Sequence, residues 1–270
     1  MIGWRSGLAP IDGTALRYEE RGAGWPVVLL HGFSLDRRMW DDQVDAFAQT
    51  HTVIRYDLRG FGESSPGSVS YAHADDLAHL LDHLGHDRVA LVGLSLGGGA
   101  AINFAVTRPD RVRALIVVDP SLGGFRWSAE FTAAQAAVRA TAQRDGIGAA
   151  RHAWLSSPLF APAMADPLVG ARLRAIVDDY SGYHWLNVDH GRPFSPPAID
   201  RLGEIRTPSL VLVGERDTAD FHAIASTLER GVADARKMTL PGVGHMANME
   251  TPGSFNDLVL DFLSTPALRA

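Results

Sequence analysis

Five short apolar runs, Val27 to Leu30, Thr52 to Tyr56, Val89 to Val92, Ala114 to Val118 and Ser209 to Val213, punctuate the chain with helical patterns between them. Runs rich in Val, Ile and Leu throughout, rather than at every second residue, belong to strands covered on both faces. Between two of them, the spacing of Leu77, Leu80, Leu81 and Leu84 puts four leucines on one face of a helix. This alternation predicts an α/β protein: a mostly parallel central sheet flanked by helices. Thr14 to Glu20 alternates like a strand with one exposed face, and Lys237 to Leu240 is expected to close the opposite edge. There are no internal repeats.

The rhythm stops between Ser121 and about Arg206. That interval holds alanine-rich helical patterns and proline-punctuated turns but no buried strand. It reads as a helical lid (residues 121–206) inserted into a core made of residues 1–120 and 207–270. The chain has 270 residues, 46% of them hydrophobic, which is ample for one large core carrying such an insertion. Three of the six tryptophans, Trp127, Trp154 and Trp185, fall in the lid. There they either line a substrate pocket or pack the lid onto the core, and the sequence leaves both readings open.

Charge and composition remove several classes of function. Lys+Arg 25 against Asp+Glu 31 gives a net charge of -6, and no basic run or aromatic-interleaved basic patch offers a surface for nucleic acid. No window approaches the ~20 apolar residues of a membrane span, and the first ten residues lack the layout of a signal peptide. A cytoplasmic protein without a membrane partner is the expectation. With no cysteine, thiolate catalysis, thiolate zinc sites and iron–sulfur clusters are excluded.

The nucleophile is sought instead at Gly93-Leu94-Ser95-Leu96-Gly97, between the run ending at Val92 and a helix-like stretch from Gly99. By chance, such a pentapeptide arises roughly 0.2 times in a chain of this length, so its strand–turn–helix setting carries the weight. A turn that reverses the chain within a residue or two strains Ser95 and demands tiny neighbours, which Gly93 and Gly97 supply. It also places the serine at a helix amino terminus, where developing negative charge is favoured. The plainer alternative is a glycine-rich helix start in which Ser95 is only a cap.

A serine hydroxyl needs a base and a group to orient that base. His245 stands on a glycine-rich loop after the last apolar strand, and Asp217 lies just past the run ending at Val213, giving the order Ser, Asp, His. Asp119 and Asp220 are rivals for the acid; downstream order favours Asp217 over the first and strand-end position favours it over the second. The loop His31-Gly32-Phe33 leaves another buried strand. Its Phe33 N–H is expected to join that of Leu96 as an oxyanion hole, each donor worth on the order of 3 kcal/mol in rate. His31 is expected to shape that loop rather than act as a second base.

These elements, together with Asp57-Leu-Arg-Gly-Phe-Gly-Glu-Ser64, resemble the α/β-hydrolase superfamily from about Thr14 to Leu263, least clearly across the lid. Within it the chain looks most like the group of 3-oxoadipate enol-lactonases, small carboxylesterases and cofactor-free haloperoxidases. The resemblance implies an α/β-hydrolase fold with Ser95, Asp217 and His245 as nucleophile, acid and base, and with Arg59 and Ser64 in structural roles. Haloalkane dehalogenases and epoxide hydrolases carry an aspartate where Ser95 stands. Carbon–carbon bond hydrolases typically have a longer, glycine-richer loop than His31 to Asp36.

The expected activity is hydrolysis of a small-molecule carboxylic ester or lactone through an acyl-enzyme on Ser95. The alternatives are a ligand receptor or signalling protein on the same fold, or a C–C hydrolase, lyase or perhydrolase using the same triad. No cofactor and no metal are expected. His79, His83 and His86 lie opposite the leucine face of their helix and read as a solvated surface, not as ligands.

Overall fold

The computed structural model describes residues 3–265 and Leu268. Eight strands form one sheet: β1 (Arg5–Ile11), β2 (Thr14–Gly22), β3 (Pro26–Leu30), β4 (Thr52–Tyr56), β5 (Val89–Leu94), β6 (Val112–Val118), β7 (Ser209–Gly214) and β8 (Ala235–Leu240). Their spatial order is β1-β2-β4-β3-β5-β6-β7-β8. Only the pairs β1/β2 and β2/β4 are antiparallel; every pair from β4 to β8 is parallel. The continuous apolar runs are the strands buried on both faces, β3 through β7.

The amino-terminal edge holds a strand that the hydrophobic pattern does not announce. β1 carries Gly7 and Pro10, which weaken a strand pattern, and its outward residues are exposed. An edge position tolerates both, because only one side of the strand must pair.

The helices are α1 (Asp41–Phe47), α2 (His73–Leu84), α3 (Leu96–Thr107), α4 (Ala129–Asp145), α5 (Ile147–Leu155), α6 (Ala161–Ala165), α7 (Pro167–Asp179), α8 (Tyr183–Leu186), α9 (Ala219–Gly231), α10 (Ala247–Glu250) and α11 (Pro252–Leu263). Helices α4 to α8 form the insertion between β6 and β7. On α2 the four leucines are buried, whereas His79 and His83 are exposed and His86 pairs with Glu20 at 2.7 Å. Arg59, in the loop after β4, is buried against Asp76 of α2 through two bonds of 2.7 and 2.9 Å, and Ser64 donates to the Asp57 carbonyl at 2.7 Å. These bonds fasten the loop beside the carboxyl ends of the strands, where ligands bind in folds of this kind.

Candidate active site

One residue, Ser95, makes the turn between β5 and α3. Its backbone is clamped on both sides: its N–H donates to the Val118 carbonyl at 3.0 Å, and its carbonyl accepts from Gly99 and Ser121 at 3.0 and 2.9 Å. The clamp holds φ at 54°, a region costly for any residue but glycine. A Cβ on Gly93 would come within 2.5 Å of the Gly97 carbonyl oxygen, and one on Gly97 within 2.3 Å of that of Leu30. Larger residues there would force the turn open. Ser95 stands at the cap position of α3, but its side chain makes no capping hydrogen bond, so the hydroxyl is left for other work.

His245 lies in the loop after β8, and its Nδ1 meets Asp217 Oδ2 at 2.7 Å, leaving Nε2 as the nitrogen that can serve Ser95. Asp217 follows β7, and its other oxygen accepts the Thr218 N–H at 2.6 Å. Glu250 straps the histidine loop by accepting the N–H groups of Gly244 at 2.8 Å and Met246 at 3.0 Å, one on each side of His245. Phe221, one turn after Asp217, brings its ring centroid within 4.5 Å of the imidazole. The rival Asp220 is spoken for elsewhere, accepting from Ser128 Oγ at 2.7 Å.

The other rival, Asp119, is the residue behind the acid. It is fully buried at the end of β6 with φ 42°, and one oxygen accepts the Gly214 N–H at 3.0 Å. Asp119, Asp217 and His245 bring ligand atoms within 4.8 Å of one another. Burial, reinforced by the Asp217 charge, pushes the Asp119 carboxyl well above its ordinary value. For Asp217, burial works in the same direction, but the attraction of His245 and the hydrogen bonds from His245 and Thr218 outweigh it and hold the group low. The pair is therefore split: Asp217 is held low against the imidazole, burial holds Asp119 high, and Asp119 Oδ2 is a buried oxygen without a hydrogen-bond partner among the described residues.

Two backbone N–H groups remain to be placed, that of Phe33 in the loop after β3 and that of Leu96 at the start of α3. Among the described residues, neither the Phe33 nor the Leu96 N–H donates to a protein acceptor. His31 is committed through both ring nitrogens, Nδ1 to the Gly32 carbonyl and Nε2 to the Leu58 N–H, each at 2.8 Å. It shapes the loop and is not free to act as a base. Ser34 takes φ 64° and accepts the Trp154 indole N–H at 2.6 Å, so α5 is hooked directly onto this loop. Ser34, Ser95 and Asp119 are strained residues in the segments that follow β3, β5 and β6, and such strain is typical of functional sites.

Ser95, His245, Phe33 and Leu96 share a cavity of about 230 Å³ whose walls are otherwise mostly apolar, among them Trp127, Trp154, Phe160 and Met246. Of the three tryptophans of the insertion, Trp127 and Trp154 line it and Trp185 does not. Trp185 is buried behind the loop, 5.8 Å from the Phe33 ring and 5.0 Å from that of Tyr180, so of the two readings left open for it, substrate wall and packing, its position corrects the first and fits the second. The sequence reading missed Asp119 as a partner of the acid, Glu250 as the strap, and Phe131, Gln135, Leu159, Phe160 and Phe221 as cavity wall.

Burial lowers His31, His73 and His184 to about 4. The unfolded chain takes up protons on these groups as pH falls through about 6.5, whereas the folded chain does not until about 4. Stability is therefore expected to be full above about pH 6.5 and to decline by on the order of a few kcal/mol toward pH 4. Urea midpoints across that range check this; a midpoint that rises on acidification contradicts it.

Residues 26–252 match the model of the alpha/beta hydrolase fold family, and the chain belongs to that family. It is 31% identical to the 2-hydroxy-6-oxononadienedioate/2-hydroxy-6-oxononatrienedioate hydrolase of Burkholderia vietnamiensis, over 93% of this chain and 92% of that protein. Among solved structures it resembles the enol-lactonase of Burkholderia xenovorans LB400, with TM-score 0.84 and 26% identity over 96% of this chain and all of that one. A thermophilic esterase from Thermogutta terrifontis follows at TM-score 0.82 and 29% identity, over 96% and 98% of the two chains.

Proposed function

We propose that this hydrolase-family protein cleaves a carboxylic ester or lactone through an acyl-enzyme on Ser95, with His245 as base, Asp217 as its orienting acid and the Phe33 and Leu96 N–H groups as oxyanion donors. The observation that carries this reading is a strained serine whose hydroxyl serves no structural bond, in one cavity with a histidine held at Nδ1 by a carboxylate. In the first step His245 Nε2 takes the Ser95 proton as Oγ adds to the carbonyl carbon, and charge moves onto the oxygen between the two N–H groups. His245 then returns that proton to the leaving alcohol. Water, deprotonated by the same nitrogen, releases the acid and restores Ser95.

The likeness to an enol-lactonase and an esterase supports this reading. The nonadienedioate hydrolase is named for a dicarboxylate, and a cavity with no lysine or arginine among its described lining residues argues against carrying that substrate over. The inserted helices, residues 121–206, act as the lid that holds the substrate's remote part. A hydrolysis screen across acyl chain lengths and lactone ring sizes, run beside Ser95→Ala, tests the proposal. Turnover that depends on Ser95 is expected, and a failure to hydrolyse every ester and lactone offered contradicts it.

The tryptophans divide the lid's roles. Trp127→Ala is expected to change kcat/KM by a chain-length-dependent 1–3 kcal/mol, roughly, because it removes wall that only the substrate's remote part touches. Trp185→Ala is expected to cost about 3–5 kcal/mol of stability and leave the chain-length profile unchanged. Melting temperature and profile, measured together on both variants, separate the two effects. A shifted profile in Trp185→Ala would overturn its placement as a packing residue.

A further inference from the structure

A second chamber, of about 350 Å³, adjoins the one that holds Ser95. Phe131, Gln135, Trp154 and Leu159 line both, so the two spaces share one boundary between α4 and the segment after α5. The inner chamber alone falls below the ~300–1,000 Å³ of ordinary small-molecule sites, and the two together lie well within it. A substrate whose carbonyl is at Ser95 therefore has room for one short arm inside and must send its longer arm past Gln135.

The walls along that path decide what the arm can be. Among the described residues lining either chamber there is no lysine and no arginine. The charged side chains of the outer chamber are Glu130 and Asp220, both acidic. A carboxylate drawn into this space would lose its hydration, find no cation to replace it, and meet charges of its own sign. An aliphatic arm loses nothing polar and gains contact with Phe131, Trp154 and Leu159. Gln135, whose side chain takes part in no hydrogen bond among the described residues, is the polar group at the boundary, and an amide discriminates by hydrogen bonding without attracting either charge.

We infer that the two adjoining chambers form one binding site for an uncharged ester with a long apolar arm, and that the walls exclude esters whose remote end is a carboxylate. This rests on the proposed ester reading for its chemistry, although the binding preference can be measured without turnover. Trp127 and Trp154 line the path, so quenching of intrinsic fluorescence reports occupancy in the Ser95→Ala variant. Two matched pairs serve as probes: methyl octanoate against monomethyl suberate, and octyl acetate against 8-acetoxyoctanoate. In the pair whose arm enters the outer chamber, the uncharged ester is expected to bind at least ~10-fold more tightly. Gln135→Arg, which adds a cation at the boundary, is expected to narrow that ratio. Equal binding within both pairs, or a ratio that Gln135→Arg leaves unmoved, overturns the inference. Preferential binding of the uncharged ester beside a wild-type protein that hydrolyses no ester or lactone of the screen sustains the inference and sinks the ester-hydrolase reading instead.

Discussion

Ser95→Ala is expected to lower kcat on an ester substrate by on the order of 10⁶ while leaving KM and the melting temperature nearly unchanged. The size of the loss follows from the cavity, which offers no substitute nucleophile in contact with the base. Ser121 also lines it, but its hydroxyl is turned to the Ser95 carbonyl at 3.3 Å. Stability is spared because the Ser95 side chain contributes no cap to α3, and alanine inherits the same φ 54° that the backbone clamp imposes. Residual activity would come from the Phe33 and Leu96 donors and from binding alone. A loss below tenfold would mean that the serine is not the nucleophile.

Asp217→Asn is expected to cost on the order of 10⁴ in kcat, because an amide turned toward Nδ1 favours the tautomer that cannot accept the Ser95 proton. Asp119→Asn is expected to cost little. An asparagine keeps the one hydrogen bond that the Asp119 side chain makes, accepting the Gly214 N–H with its oxygen, and cannot carry the charge that burial disfavours there. Asp119→Ala leaves the buried Gly214 N–H without its acceptor, so it is expected to fall between the two in activity and to lower stability. Single-turnover rates and melting temperatures for the three variants check the order. If Asp119→Asn were the most damaging, the two acids would have to exchange roles.

What the sequence discloses about this molecule depends on whether the relevant physics is local. The turn at Ser95 is legible because Gly93 and Gly97 answer a steric demand made within five residues. Asp217 and His245 are legible because each follows a strand, and the parallel order of strands carries both to the same edge of the sheet. Asp119 is less so: its partnership with Asp217 exists only because β6 and β7 are neighbours, and the letters around it show a strand end and nothing more. Glu250 is hidden in the same way, being an ordinary surface letter until the chain folds back on the His245 loop. β1 escaped because Gly7 and Pro10 break its pattern, and an edge position forgives them. The cavity wall was beyond reach, since Phe131, Leu159 and Phe160 are the same apolar letters that build a core. Only the tertiary placement of the segment before α4 and of α8 decides that Trp127 faces the cavity and Trp185 the packing behind Phe33.

The central claim is that Ser95 is the one nucleophile, activated by His245. Treating the protein with a fluorophosphonate and reading the intact mass, followed by peptide mapping, tests it most directly. The account predicts a single adduct, located on Ser95, absent from Ser95→Ala and formed far more slowly in His245→Ala. An adduct on another residue, or labelling that survives in Ser95→Ala, would contradict it.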